Sequence, residues 1–214
     1  MTCQHCCGAD TIFDDKEALK QIKRYHRNGP RKTSRLLIEG IKNNLNGEKN
    51  VLDIGGGIGA VHHELLKTGL DAATQVDASM SYLNEAKKES ERNGFQKRID
   101  YLHGDFLDLK SEIEIHDVVV LDKVICCYPH MKELLSQSSL KTGSMIALVY
   151  PKSNWIGKTI IQSGNILFWF KRNPFRVFLH SNEQVRTQLK NDGFDRLYYK
   201  VSYPWNIEVY TRTA

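Results

Sequence analysis

The chain has 214 residues, enough for one domain with its own core, or for one domain and a small cap. Hydrophobic residues make up 41% and charged residues 26%, a globular balance that excludes disorder, and no run of about 18 uncharged apolar residues exists to span a bilayer. The formal charge of +5 permits nucleic acid or an acidic membrane surface as a partner but requires neither.

The segment Met1 to Asp15 lacks the basic-then-apolar pattern of a signal peptide, so the expectation is a cytoplasmic protein. In that setting Cys3, Cys6, Cys7, Cys126 and Cys127 are expected to be reduced thiols. Cys3-x-x-Cys6 has no matching second pair, so no metal is assigned to it. Lys16 to Arg27 reads as a charged helix broken at Asn28-Gly29-Pro30. Lys32 to Leu45 follows, with Leu36, Leu37, Ile41 and Leu45 at helical spacing. Residues 1–46 are therefore expected to form an N-terminal helical cap, with Tyr25, His26, Arg27 and Arg31 as candidates to face a substrate.

From Asn50 the chain alternates strand and helix. Strands are expected at Asn50–Ile54, Ala72–Val76, Arg98–His103, Asp117–Leu121 and Ser144–Tyr150. Helices are expected at Ala60–Thr68, Ser79–Asn93 and Met131–Leu140. That order means a doubly wound, Rossmann-like α/β sheet over residues 47–214. An insertion at residues 151–174 interrupts it. Trp155 to Phe170 is mostly apolar and is followed by Lys171-Arg172 and Arg176, so it suits a lid, a packed helix or an interfacial anchor. Ser181-Asn-Glu-Gln184 is a capping box for a helix ended by Gly193. Arg196–Ser202 and Trp205–Thr211 are two last strands, too closely joined to be parallel.

The chemistry collects where strands end. Asp53-Ile-Gly55-Gly56-Gly57-Ile-Gly59 turns the first strand into a helix, where glycines let a ligand approach the backbone and the helix offers its amides. Asp53 suits an ammonium better than a pyrophosphate. Asp77, followed by Ala78, ends the second strand, where a carboxylate can accept two ribose hydroxyls. Gly104-Asp105-Phe106 ends the third, where Asp105 can accept from an adenine amino group beside the Phe106 amide and ring. One ligand carries amine, ribose and adenine in that order. These residues resemble the first three motifs that bind S-adenosylmethionine (SAM) in class I methyltransferases. The resemblance implies SAM as cofactor and a seven-stranded sheet with its last strand antiparallel beside the fifth. It covers roughly residues 48–150.

Asp122-Lys-Val-Ile-Cys-Cys-Tyr-Pro129 ends the fourth strand, the edge that faces the reactive methyl in that family. The stretch resembles magnesium-protoporphyrin O-methyltransferases and small-molecule relatives. It makes Asp122 a cofactor contact and Asp122, Tyr128 and His130 candidate bases or orienters. No Asn/Asp-Pro-Pro-Tyr/Phe motif stands here, which counts against methylation of a base nitrogen. The reading is methyl transfer to O or S of a small, apolar acceptor. The alternatives are an RNA methyltransferase, a SAM-binding sensor without turnover, and an enzyme for a thiophilic ion held by the two cysteine clusters.

Overall fold

The computed structural model describes residues 12–154, 165 and 175–213. Cys3, Cys6 and Cys7, and all of the apolar stretch from Trp155 to Phe170 except Asn165, lie outside them, as do Lys171 and Arg172. The N-terminal pair is α1 (Asp15–Asn28) and α2 (Lys32–Lys42). Then come β1 (Asn50–Ile54), α3 (Ala60–Lys67), β2 (Ala72–Asp77), α4 (Met80–Arg92), β3 (Ile99–His103) and the single turn α5 (Phe106–Leu109). The second half holds β4 (His116–Asp122), α6 (Met131–Leu140), β5 (Thr142–Pro151), α7 (Asn182–Asn191), β6 (Phe194–Ser202) and β7 (Trp205–Arg212).

The seven strands form one sheet in the order β3-β2-β1-β4-β5-β7-β6. β1 to β5 are mutually parallel, and β7 runs antiparallel between β5 and β6. The chain reverses between β1 and β4, so the carboxyl ends of these two strands open a crevice at the topological switch point. This is the doubly wound sheet expected from the alternation of elements, with the antiparallel strand beside β5.

Strand alternation divides the core into two layers. Val51, Val118, Val120, Val149 and Ile207 face α2 and α3, where they meet Leu37, Ile41, Val61 and Leu65. Leu52, Val119, Leu121, Ile146 and Leu148 face α6 and α7, where they meet Leu134, Leu135, Val185 and Leu189. The central strands are apolar on both faces for this reason. α2 thus belongs to the sheet's own core. α1 lies elsewhere: Ala18, Ile22 and Tyr25 pack on Ile58 and Tyr82 near the glycine turn.

Several element boundaries differ from expectation by one to three residues, β5 for instance starting at Thr142 rather than Ser144, and three departures have a visible cause. α2 stops at Lys42, not Leu45, because the Asn44 side-chain amide donates to the Gly40 carbonyl (2.8 Å) and supplants the helical bond. β6 begins at Phe194, two residues early, and a register shift between Arg196 and Tyr198 is the feature that hides its period. α5 has only four residues and was not foreseen; the Asp105 carboxylate caps it by accepting from the Leu107 N–H (2.9 Å).

Candidate active site

The glycine turn links β1 to α3. Gly55, Gly57 and Gly59 have φ of 62°, 58° and 78°, the left-handed region that favours glycine. The Gly55 N–H donates to the Val76 carbonyl (2.7 Å), and the Gln75 side-chain amide donates to the Gly57 carbonyl (2.7 Å), so β2 pins the turn. Gly56 is required by space: a Cβ there would stand 2.8 Å from Asp53 Oδ2. Gly55, Gly56 and Gly57 line a cavity of about 1000 Å³ at the carboxyl ends of β1, β2 and β4. Gly59 is not among its lining residues. It caps α3, and a Cβ on it would meet the rings of His62 and His63 at 2.7 Å.

The strand-end acids share that cavity: Asp53, Asp77, Asp105 and Asp122 all line it, as do Ala78 and Phe106. Asp53 is fully buried. Its Oδ2 accepts from His62 Nδ1 (2.9 Å), and its Oδ1 has no hydrogen-bond partner among the described residues. Burial first, then repulsion from Asp122, pushes its carboxyl up to about 8, against the opposing bond from His62. Burial pushes His62 down to about 3, so it is a neutral donor. Asp77 accepts from the Gly57 N–H (2.8 Å) through Oδ2 and from the Ser79 N–H (2.8 Å) through Oδ1. Burial raises it to about 6 although both bonds favour the ionised form. Asp77 therefore braces the turn as well as facing the cavity.

The three candidate bases part company here. Asp122 already accepts twice, from Ser34 Oγ (2.5 Å) and Lys123 Nζ (2.7 Å). The Tyr128 hydroxyl donates to Asp105 Oδ1 (2.7 Å), so it orients that carboxylate. His130 is exposed at the cavity wall, and among the described residues its ring makes no hydrogen bond. Cys127 lines the cavity, and its thiol and that of Cys126 both lie near the Lys123 carbonyl. Among the described residues no cluster of His, Cys, Asp and Glu is arranged for a metal.

Of the four residues expected to face a substrate from the N-terminal helices, only Arg31 lines the cavity. Tyr25 is turned away, donating to Glu64 (2.7 Å), and His26 pairs with Glu89 on α4 (2.6 Å). Arg27 is exposed outside the cavity. The other residues of this segment that line it are Phe13, Gln21, Arg24, Lys32, Thr33 and Ser34. Gln21 donates to the Tyr82 hydroxyl (2.6 Å), and Phe13 stacks on the Tyr82 ring at 5.4 Å. α1 therefore forms one wall of the cavity.

These residues fit a cofactor carrying an ammonium group. Asp53 Oδ1 is an orphaned buried acceptor, and the Gly56 cradle leaves no room for a side chain.

The methyltransferase domain family matches residues 51–139. No curated protein matches the sequence. Among solved structures the chain is similar to magnesium protoporphyrin IX methyltransferase from Synechocystis PCC 6803 with bound SAH, at a TM-score of 0.68 and 19% identity over 95% of this chain and 99% of that one. It is similar to an O-methyltransferase family 2 protein from Planctomyces limnophilus in complex with apigenin, at a TM-score of 0.63 and 13% identity over 91% and 66% of the two chains. It is also similar to the cyclase SpnF, at a TM-score of 0.66 and 13% identity over 85% and 82%. Residues 51–139 thus match the methyltransferase domain family, and the strand order around them is that of the class I methyltransferase fold.

Proposed function

We propose that the protein transfers a methyl group from SAM to an oxygen or sulfur of a small acceptor with an apolar body. The observation that carries this reading is the single cavity in which the glycine turn meets four strand-end acids, one with a buried, unpartnered oxygen. Its walls supply the apolar contact: Phe13, Tyr82, Phe175 and Trp205 line it. The neighbour crystallised with SAH and the O-methyltransferase neighbour support the same reading.

SAM, when bound, supplies an electrophilic methyl on a positively charged sulfur. The chain's residues do the rest. Asp53 takes the ammonium through Oδ1 while His62 fixes its other oxygen. The backbone of Gly55 and Gly57 lies against the methionine portion. Asp77 accepts the ribose hydroxyls, with Ala78 beside it, and Asp105, oriented by Tyr128, accepts from the adenine amino group beside Phe106. Asp122, held by Ser34 and Lys123, sits at the β4 end and positions ligands rather than removing protons. Methyl transfer is an in-line displacement, so alignment by these walls is the main contribution. Where the acceptor must lose a proton, His130 is the group open to take it.

The test is direct. Calorimetry should detect binding of SAM and of its demethylated product SAH, and not of NAD. Incubation of cell extract with enzyme and methyl-labelled SAM should then yield a labelled small molecule by mass spectrometry. Binding of NAD in place of SAM would refute the reading. A cyclase shares this fold, so the fold by itself does not carry methyl transfer, and the second reading is a SAM-binding protein without turnover. SAM binding without a labelled product from any extract is its signature.

A further inference from the structure

We propose that β6 is a self-association edge, at which two copies of this chain pair antiparallel through Asp195–Val201 and continue one sheet across both. The inference goes beyond the methyl-transfer reading and does not depend on it. β6 runs for nine residues at the end of the strand order, where β7 is its only neighbour among the described residues. Among those residues no backbone group of β6 bonds to any element other than β7. Its outer row of N–H and C=O groups is therefore a template for a further strand.

The side chains mark the edge as a contact surface. Eight large hydrophobic side chains are exposed among the described residues. Four of them, Leu197, Tyr199, Val201 and Tyr203, gather on this strand and the turn after it, at 40–56% exposure. Such a concentration is a feature of surfaces that meet a partner.

The register names the partner as a second copy. Leu197 is the extra residue at the bulge, so position along β6 is read from β7. Asp195 pairs with Thr211, Tyr198 with Val209 and Lys200 with Ile207. Asp195 and Lys200 thus lie two β7 positions to either side of Tyr198, on one face of the sheet. Arg196 and Tyr199, paired with Tyr210 and Glu208, lie one position to either side on the other face. A two-fold axis through Tyr198 sets Asp195 opposite Lys200 of the second copy, and Arg196 opposite Tyr199, each contact occurring twice. An axis through Arg196 or Lys200 would instead set like charges together. Asp195 and Lys200 are both exposed, and neither belongs to an ion pair among the described residues. Arg196 already rests on the Tyr199 ring of its own chain at 4.8 Å, and in the pair it meets a second such ring. A lysine on an edge strand ordinarily discourages pairing. Here the symmetric register supplies its carboxylate, so Lys200 selects a second copy over a strand of another sequence. The paired edge reaches the rim of the ligand cavity, because Ser202 and Tyr203 line it.

The test is sedimentation of the full chain at about 0.1 mM, where any micromolar association is visible. The wild type should have twice the mass of one chain. Asp195→Lys and Lys200→Asp, each alone, bring like charges together at both contacts and should weaken self-association at least about ten-fold. An equimolar mixture of the two variants restores opposite signs at both contacts, and should pair about as tightly as the wild type. Hydrogen exchange locates the contact: β6 amides should exchange slowly in the wild type and in the mixture, and fast in either variant alone. The inference is overturned if the wild type is a monomer, if the single variants associate as the wild type does, or if the mixture stays monomeric. A wild-type pair whose β6 amides exchange as fast as those of the variants also overturns it, because the contact then lies elsewhere.

Discussion

Two carboxylates govern how the site answers to pH. Asp53 is raised from 3.8 to about 8, so in the ligand-free protein it holds its proton through neutral pH. Between those values the folded state binds a proton that the unfolded state has lost, so its contribution to stability declines as pH rises through about 8. A cationic ligand reverses the preference, because it needs the ionised form. SAM affinity should therefore rise with pH up to about 8, with close to one proton released on binding near neutrality. Calorimetry in two buffers of different ionisation enthalpy reads that proton, and Asp53→Asn should abolish both the release and the pH slope. A proton count of zero in the wild type would show that Asp53 does not meet the cation. Asp77 poses a different problem. Its place at a strand end suggests that replacement would cost binding and leave folding alone, yet it is buried and holds the Gly57 and Ser79 amides. Asp77→Ala should therefore lower SAM affinity by roughly 1.5–3 kcal/mol per charge-assisted bond lost, and also lower the melting temperature of the cofactor-free protein. A drop in affinity with no thermal penalty would show that the turn does not depend on this carboxylate. These acids were legible in the sequence because Asp53 stands two residues before the first glycine of the turn and Asp77 closes β2. Arg24, Gln21 and Ser34 were not, because nothing local to α1 or α2 says which helix face the distant end of β4 will meet.

At the scale of elements, the turn from β1 to α3 is the part most tightly specified. Gly55, Gly57 and Gly59 answer to backbone conformation, and a side chain at any of them would be strained. Gly56 answers to space alone, because its Cβ would press on Asp53 Oδ2 and the Gln75 side chain. Gly56→Ala should therefore fold with a modest loss of stability, of order 1–3 kcal/mol by analogy with overpacking, while displacing Asp53 from its bond to His62. The expected readout is a loss of SAM affinity larger than the loss of stability, measured by calorimetry beside urea unfolding. Equal losses would mean that the substitution acts only by loosening the fold. The same strands show why so much of the architecture could be read in advance. β1, β2 and β4 are short apolar runs closed by glycine or aspartate, and sheet burial on both faces leaves no other pattern available. α5 escaped because a single turn has no period to detect, and the early start of β6 escaped because its bulge breaks the alternation.

Across the whole molecule the sheet divides its labour. The ligand cavity gathers at β1, β2 and β4, whereas β5 to β7 are tied together around a carboxylate that no local pattern announces. Glu208 sits fully buried in the middle of β7. It accepts from Arg186 on α7 (2.6 Å and 3.0 Å) and from Arg196 on β6 (3.4 Å). It also accepts from the Tyr150 hydroxyl on β5 (3.0 Å) and from the Tyr210 hydroxyl on its own strand. One side chain thereby joins three strands and a helix, and neither arginine has another ion pair among the described residues. Arg196 and Arg186 further flank the Tyr199 ring at 4.8 Å and 5.3 Å, so the network reaches the exposed edge of the sheet. Glu208→Ala would leave two hydroxyls buried without their acceptor and two guanidiniums without their anion. Its cost should fall near the 3–5 kcal/mol typical of breaking a buried pair. Glu208→Gln should cost less, since its carbonyl oxygen can still accept. Glu208 is not among the residues lining the cavity, so SAM affinity of the folded fraction should remain that of the wild type in both variants. Urea unfolding beside calorimetry separates the two quantities. A fall in SAM affinity for folded Glu208→Gln would show that the β5–β7 half of the sheet sets the geometry of the cavity and does more than support it.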